Sequence, residues 1–301
     1  STLDRSSAAS DVYKRQIQSF LCNAGSLVGY IFPFLFAWIG LSNTAPEGEI
    51  PDTVKYAFYI GAAILILCVL YTSVKVKEMP PKEYAEFHGI DPQTQKEKSP
   101  GMLTLLRKAP STFWTVGLVQ FFCWAAFMYM WTYTNGAIAD TVWETTDVRS
   151  EGYQEAGNWV GILFAIQAIG SMLWALLIPK FKSIKTAYVV SLLLGAVGFA
   201  SVFFIHDQYI LFASFLLIGA AWAAMLAIPF TLLTNSLSGD HIGTYLGLFN
   251  GTICLPQIVA AACGGILLRM VGGSQVSMFL IAGILLVCGA AAVYLVKEKR
   301  V

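Results

Sequence analysis

Charge is what this sequence of 301 residues has least of. Asp, Glu, Lys and Arg together make up 12%, about half the share a soluble globular chain carries. Too few polar side chains remain to cover a surface in water. With 56% hydrophobic residues and a mean hydropathy of +0.64, the remaining home for that surface is a lipid bilayer. Excess basic charge is missing as well: the formal net charge is +1, without the Lys/Arg clusters that nucleic-acid binding needs. Cysteine patterning is absent too. Cys22, Cys68, Cys123, Cys254, Cys263 and Cys288 lie in apolar runs with no CxxC spacing and no nearby His, which favours small buried hydrophobes over a metal site or a disulfide framework.

What is present is length of apolar run. A helix needs about 20 mainly apolar residues to cross the hydrocarbon core. Eight stretches meet that need, near residues 17–41, 55–76, 112–136, 156–179, 184–205, 208–232, 243–268 and 274–297. The chain does not open on Met, and the run Ser6-Ser7-Ala8-Ala9-Ser10-Asp11-Val12-Tyr13-Lys14-Arg15-Gln16 resembles translated adapter sequence, so residues 1–16 are set aside as a non-native leader. The one long polar connection runs from Lys77 to Pro110, broken by Pro80, Pro81, Pro92 and Pro100. With that loop, the 180–185 turn and the C-terminus on one side, thirteen basic residues face that side and three (Lys55, Arg149, Arg269) the other. The positive-inside rule makes the rich side cytoplasmic.

The spans differ in kind. Spans two, five and eight have the composition of helices that mainly meet lipid tails. Spans three, four, six and seven mix aromatic rings with amides and hydroxyls, which are costly in hydrocarbon unless they face other helices or a wet cavity. In the third, Gln120, Trp124, Phe127, Trp131 and Asn135 share an arc of about 80° at 100° per residue. The fourth carries Gln167, Ser171 and Trp174 on one stripe, the sixth Trp222 with Pro229 and Thr231, and the seventh Asn250, Cys254 and Gln257 beside Pro256. Flat rings stack on the C–H faces of a pyranose, and amides pair vicinal hydroxyls as donor and acceptor together. Sugar contact is therefore expected from Gln120, Trp124, Trp131 and Asn135, supported by Gln167, Trp174, Trp222, Asn250 and Gln257. Trp114, Trp143 and Trp159 sit where interfacial anchors belong. Small-residue spacing at Gly243/Gly247/Gly251, Gly25/Gly29 and Gly157/Gly161 permits close helix contact.

No Asp, Glu, Lys, Arg or His lies near the middle of any span. His88, His206 and His241 fall in loops and turns. HExxH, paired intramembrane carboxylates and a Ser–His arrangement at depth are all missing, so an intramembrane enzyme lacks its chemistry and a haem protein its paired ligands. No metal or cofactor site is expected.

The loop followed by six spans resembles the second half of a major facilitator superfamily transporter, whose two six-helix halves are joined by a long cytoplasmic loop. Trp124 through Asp140, the run Tyr153-Gln154-Glu155-Ala156-Gly157-Asn158-Trp159-Val160-Gly161, Ile228-Pro229-Phe230, and Gly247-Leu248-Phe249-Asn250 with Pro256-Gln257 resemble the sucrose/maltose-type branch related to the glycoside–cation symporters. The resemblance implies that the eight spans match helices 5 through 12 of twelve. Helices 7, 8, 10 and 11 would then bear on the cavity, while 6, 9 and 12 would lie outside it. The signature Gly-x-x-x-Asp-Arg-x-Gly-Arg between helices 8 and 9 is reduced here to Pro179-Lys180-Phe181-Lys182-Ser183-Ile184-Lys185, its acid gone.

The expectation is an all-α polytopic membrane protein. Residues 17–76 form the last two helices of an N-terminal half, 77–110 the interdomain loop and 111–301 a six-helix C-terminal half. Its expected work is transport of a disaccharide such as maltose or sucrose by alternating access with H⁺ symport, the titratable coupling residue lying in helices 1 to 4, outside this sequence. It is expected as a monomer in a bacterial inner membrane, surrounded by membrane lipid, with a cytoplasmic C-terminus. A drug or metabolite exporter on the same fold is the first alternative, and a complete eight-span enzyme or assembly protein the second.

Overall fold

The computed structural model describes residues 2–42, 50–77, 80, 83, 101–237 and 242–296. Most of the expected interdomain loop, His88, His241 and the terminal Lys297, Lys299 and Arg300 lie outside them. No strand occurs among the described residues. Ten α-helices do: α1 (Thr2–Trp38), α2 (Asp52–Lys75), α3 (Met102–Lys108), α4 (Ser111–Val142), α5 (Glu151–Leu177), α6 (Ile184–Val202), α7 (Leu211–Ser236), α8 (Ile242–Phe249), α9 (Gly251–Met270) and α10 (Ser277–Val293). Seven stretches are long and apolar enough to cross a membrane, one of them running through α8 and α9 together, and α10 is a shorter apolar helix. The chain is thus an all-helical, multi-pass membrane protein. α1 includes the backbone of the residues set aside as a leader. The seventh span is divided at Asn250, six residues before the expected break at Pro256.

Two compact units divide the chain, one of Ser1–Ile31 with Ala109–Val301 and one of Phe32–Lys108. In the smaller unit, the apolar stretch of α2 buries none of its residues against protein. Asp52 in its first turn pairs with Lys55 at 3.3 Å. The larger unit is a bundle. α7 lies along both α5 and α6, while α10 lies against α4 and α6, and α9 against α4.

Local chemistry sets the helix ends. Ser150 accepts the Tyr153 amide at the start of α5, and Ser183 does the same for Thr186 at α6. Asp207 accepts the Tyr209 and Ile210 amides ahead of α7. Such side-chain acceptors supply the partners that first-turn amides lack. α9 stops at Gly272 and Gly273, both at positive φ (73° and 82°), and the Gly273 amide reaches back to the Leu268 carbonyl at 2.8 Å. Only glycine takes that left-handed turn without strain.

The core corrects three expectations. Spans five and eight (α6 and α10) are not mainly lipid-facing: they bury Tyr188, Leu192, Phe199, Phe279 and Leu286 fully or nearly so. Their outward faces carry Val197 and Ile284, 58% and 62% exposed. Lipid tails and a helix neighbour are equally apolar, so composition does not separate them. The glycines that let helices touch are also different ones. A Cβ at Gly170 would stand 2.6 Å from the Leu216 carbonyl oxygen, and one at Gly198 2.6 Å from that of Ser214. One at Gly219 would overlap the Gln167 carbonyl. Gly25, Gly29, Gly243, Gly247 and Gly251 face open space. Finally, Cys123 alone of the cysteines is buried; Cys22, Cys68, Cys254 and Cys263 are exposed.

Candidate functional site

The aromatic stripe of α4 is a real surface, and α7 meets it. Trp222 stands 5.7 Å from Trp124, 5.0 Å from Phe127 and 5.6 Å from Trp131, ring centre to ring centre. Edge-on and tilted approaches of this kind are the favoured ones for aromatic pairs. Phe127 has no exposed surface and passes the cluster on to Phe199 of α6 at 5.5 Å, then to Phe279 of α10 at 5.8 Å. Four helices are therefore tied to one another through rings at mid-bundle.

Trp131 and Trp222 form one wall of a small, open pocket. α5 contributes Phe164, Gln167 and Ala168, and α1 contributes Asn23, Ser26 and Tyr30. Tyr30 lies against Phe164 at 5.6 Å. Trp131 keeps 37% of its surface, whereas Gln167 keeps 5% and Asn23 1%. The pocket thus offers rings on several sides and neutral amides and hydroxyls between them, with no ionisable side chain except the Tyr30 phenol. Asn23, Ser26 and Tyr30 were missed in the sequence. Their i, i+3, i+7 spacing places them within about 60° on one helix face, a signal overshadowed by the tryptophans further on.

The other expected contacts stand elsewhere. Gln120 is fully buried, its Nε2 donating to the Met225 carbonyl at 3.4 Å and its Oε1 accepting from the Tyr188 hydroxyl at 3.3 Å. Trp174 donates to Ser191 at 2.8 Å and so joins α5 to α6. Asn135 lies over Gly157 of α5, its amide 3.6 Å from where a Cβ would be. Asn250 is exposed at the division between α8 and α9, and Gln257 is half-buried on α9. Neither lines the pocket. Trp124 lies behind Trp131 and Trp222. Its Nε1, the Asn135 Oδ1 and the Ser171 Oγ are buried polar atoms with no hydrogen-bond partner among the described residues.

Trp114 is 55% exposed at the start of α4. Trp143 donates to Glu155 at 2.9 Å across the α4–α5 turn, and Trp159 donates to the Gln208 carbonyl while stacking on Phe212.

A bundle of apolar helices around a neutral, ring-walled pocket defines the class as a polytopic membrane protein. Comparison with known proteins gives the family. The profile of the Major Facilitator Superfamily matches residues 141–301, just over half the sequence, and the chain belongs to that superfamily. It is also similar to the magnetosome protein MamH of Paramagnetospirillum magneticum (strain ATCC 700264 / AMB-1), 28% identical over 154 residues that cover 50% of this chain and 36% of MamH. The chain spans little more than a third of that relative.

Proposed function

We infer that the chain forms part of a transporter for a neutral, hydroxyl-rich solute, a sugar of the disaccharide class, moved by alternating access. The observation that carries the reading is the pocket wall: Trp131 and Trp222 beside the Gln167 amide, facing Tyr30, Asn23 and Ser26. Rings shed water onto the apolar faces of a pyranose, and a buried amide left without a hydroxyl partner penalises solutes that lack one. The pocket is small and open, and on this reading a sugar bound there is held in part by groups beyond its lining. On this reading residues 17–76 close an N-terminal half, 77–110 link the halves and 111–301 form the C-terminal half. On the same reading the basic loops face the cytoplasm of a bacterial cell together with the C-terminus, as the positive-inside rule favours, and the protein works as a monomer. Coupling to H⁺ needs a titratable group at depth. No Asp, Glu, Lys, Arg or His lies near the middle of these spans, so on this reading the coupling group is not one of theirs.

The test is uptake of labelled maltose and sucrose into proteoliposomes holding the intact protein. Uptake is expected, and Trp131→Ala raises the half-saturation concentration at least tenfold while the protein still elutes as a folded species. Uptake of lipophilic cations in place of sugar would overturn the reading in favour of a drug exporter, since aromatic walls also attract cations.

A further inference from the structure

Pro229 sits inside α7. A proline has no amide hydrogen, so the carbonyl four residues earlier, that of Met225, loses its helical donor, and the ring pushes the backbone aside. In a membrane such a freed carbonyl needs a partner from a neighbouring helix. Here the partner is known: Gln120 of α4, 105 residues away in sequence, points its amide at the Met225 carbonyl at 3.4 Å. A carbonyl can only accept, so the atom facing it is the amide nitrogen. The Tyr188 hydroxyl of α6 donates to the amide's other end at 3.3 Å and fixes that orientation. Gln120 and Tyr188 are completely buried, and Met225 and Pro229 are buried too.

The two halves of α7 on either side of this point hold different clusters. One turn before Met225, Trp222 stands in the α4 ring cluster and lines the pocket. Just after Pro229, Phe230 meets Phe249 of α8 at 5.5 Å, and Phe249 meets Phe113 at the start of α4 at 5.7 Å. Pro229 therefore lies between a ring cluster at the pocket and a second one at the far end of the bundle, where a proline-induced bend would set the angle between them.

We propose that Gln120 is a positioning residue: by supplying the donor that Pro229 removes, it fixes the bend of α7 and so holds Trp222 against Trp131 at the pocket. It acts through Met225 and touches no solute. The proposal rests on the transport reading only for its effect on uptake; the hydrogen bond itself is tested without it.

Gln120→Met keeps length and removes the donor, while Pro229→Ala restores the backbone donor and makes Gln120 dispensable. In the intact protein, Gln120→Met raises the half-saturation concentration for sugar about threefold to tenfold, the range of interhelical hydrogen bonds in membranes, and leaves maximal uptake largely unchanged. In the Pro229→Ala background the same substitution has no further effect. Equal effects in both backgrounds would overturn the proposal, as would a loss confined to maximal uptake. Infrared spectra of protein labelled with [1-¹³C]methionine supply an arm independent of transport. For this arm Gln120→Leu is used, which adds no labelled methionine: one methionine carbonyl band moves to higher frequency in Gln120→Leu and returns when Pro229→Ala is added. If no uptake of any sugar is seen yet the band behaves so, the transport reading fails and the clamp stands. If the band does not move, the clamp fails.

Discussion

α4 and the α8–α9 pair carry the same count of amides and look alike in the sequence, yet the bundle treats them oppositely. Gln120 and Asn135 of α4 lie in or against packed neighbours, with three aromatic rings on the same face. Asn250 and Gln257 do not share a face with a run of three rings, and the span they sit in, Gly243–Met270, buries only 17% of its apolar window, against 61% for α4. Amides alone do not report burial. Rings at helical spacing do, because each one removes far more apolar area than an amide can and finds its neighbours by shape.

The largest expected effect tests the buried side of that contrast. Phe127 has no exposed surface and touches rings from α4, α6 and α7. Phe127→Ala should lower stability by about 3–5 kcal/mol, the cost of deleting a buried ring and leaving its cavity. Ile258→Ala on α9, where the side chain is 65% exposed, should change it by no more than about 0.5 kcal/mol. Thermal unfolding in one detergent compares them directly. Equal losses would mean that the α9 face is packed in the intact protein and that the contrast between the two spans is false.

A smaller effect, of opposite sign in the two regions, is expected from adding a single methyl. At Gly219 the new carbon would press on the Gln167 carbonyl and lie 2.7 Å from the Ser171 amide nitrogen, backbone that cannot step aside. Gly219→Ala should cost about 1–3 kcal/mol through overpacking and should loosen the α5–α7 crossing that places Gln167 at the pocket. Gly247→Ala in α8 meets nothing within 4 Å and should stabilise by up to about 1 kcal/mol, since alanine favours helix more than glycine does. Unfolding midpoints that move the same way for both would remove the distinction.

How much of this was legible beforehand follows from what each signal depends on. The α4 stripe needs only the 100° step of a helix, and Trp124, Phe127 and Trp131 do form one surface. That Trp222 completes it, and that Gln167 joins Trp131 at a pocket, fitted the grouping of polar spans without their register being known. The role of Gln120 was not legible. It depends on which carbonyl of α7 lies opposite, a relation between residues 105 apart, and the sequence had placed it at the solute. The glycine contacts failed for a related reason: a four-residue spacing is necessary for close approach but says nothing of whether a helix is there to approach. Likewise α6 and α10 read as lipid-facing because their neighbours are as apolar as lipid.

The smallest expected effect bears on what covers α8 and α9. Asn250 is exposed where the two helices divide, and its backbone amide bonds to the Gly247 carbonyl at 3.2 Å, a tighter step than the helical one. The division is thus made by backbone, so the side chain contributes little to it. Asn250→Leu should leave the unfolding midpoint of this chain within about 0.5 kcal/mol of the parent, the range of surface substitutions without a special partner. A buried amide paired with another helix behaves differently, since removing one partner leaves the other stranded at about 1–3 kcal/mol. A loss of that size in this chain would move Asn250 to the packed side of the comparison. The same substitution in a longer protein containing more of the superfamily fold then locates the partner: near-neutral in this chain but costly there means that the face open here is closed by a helix this sequence does not contain.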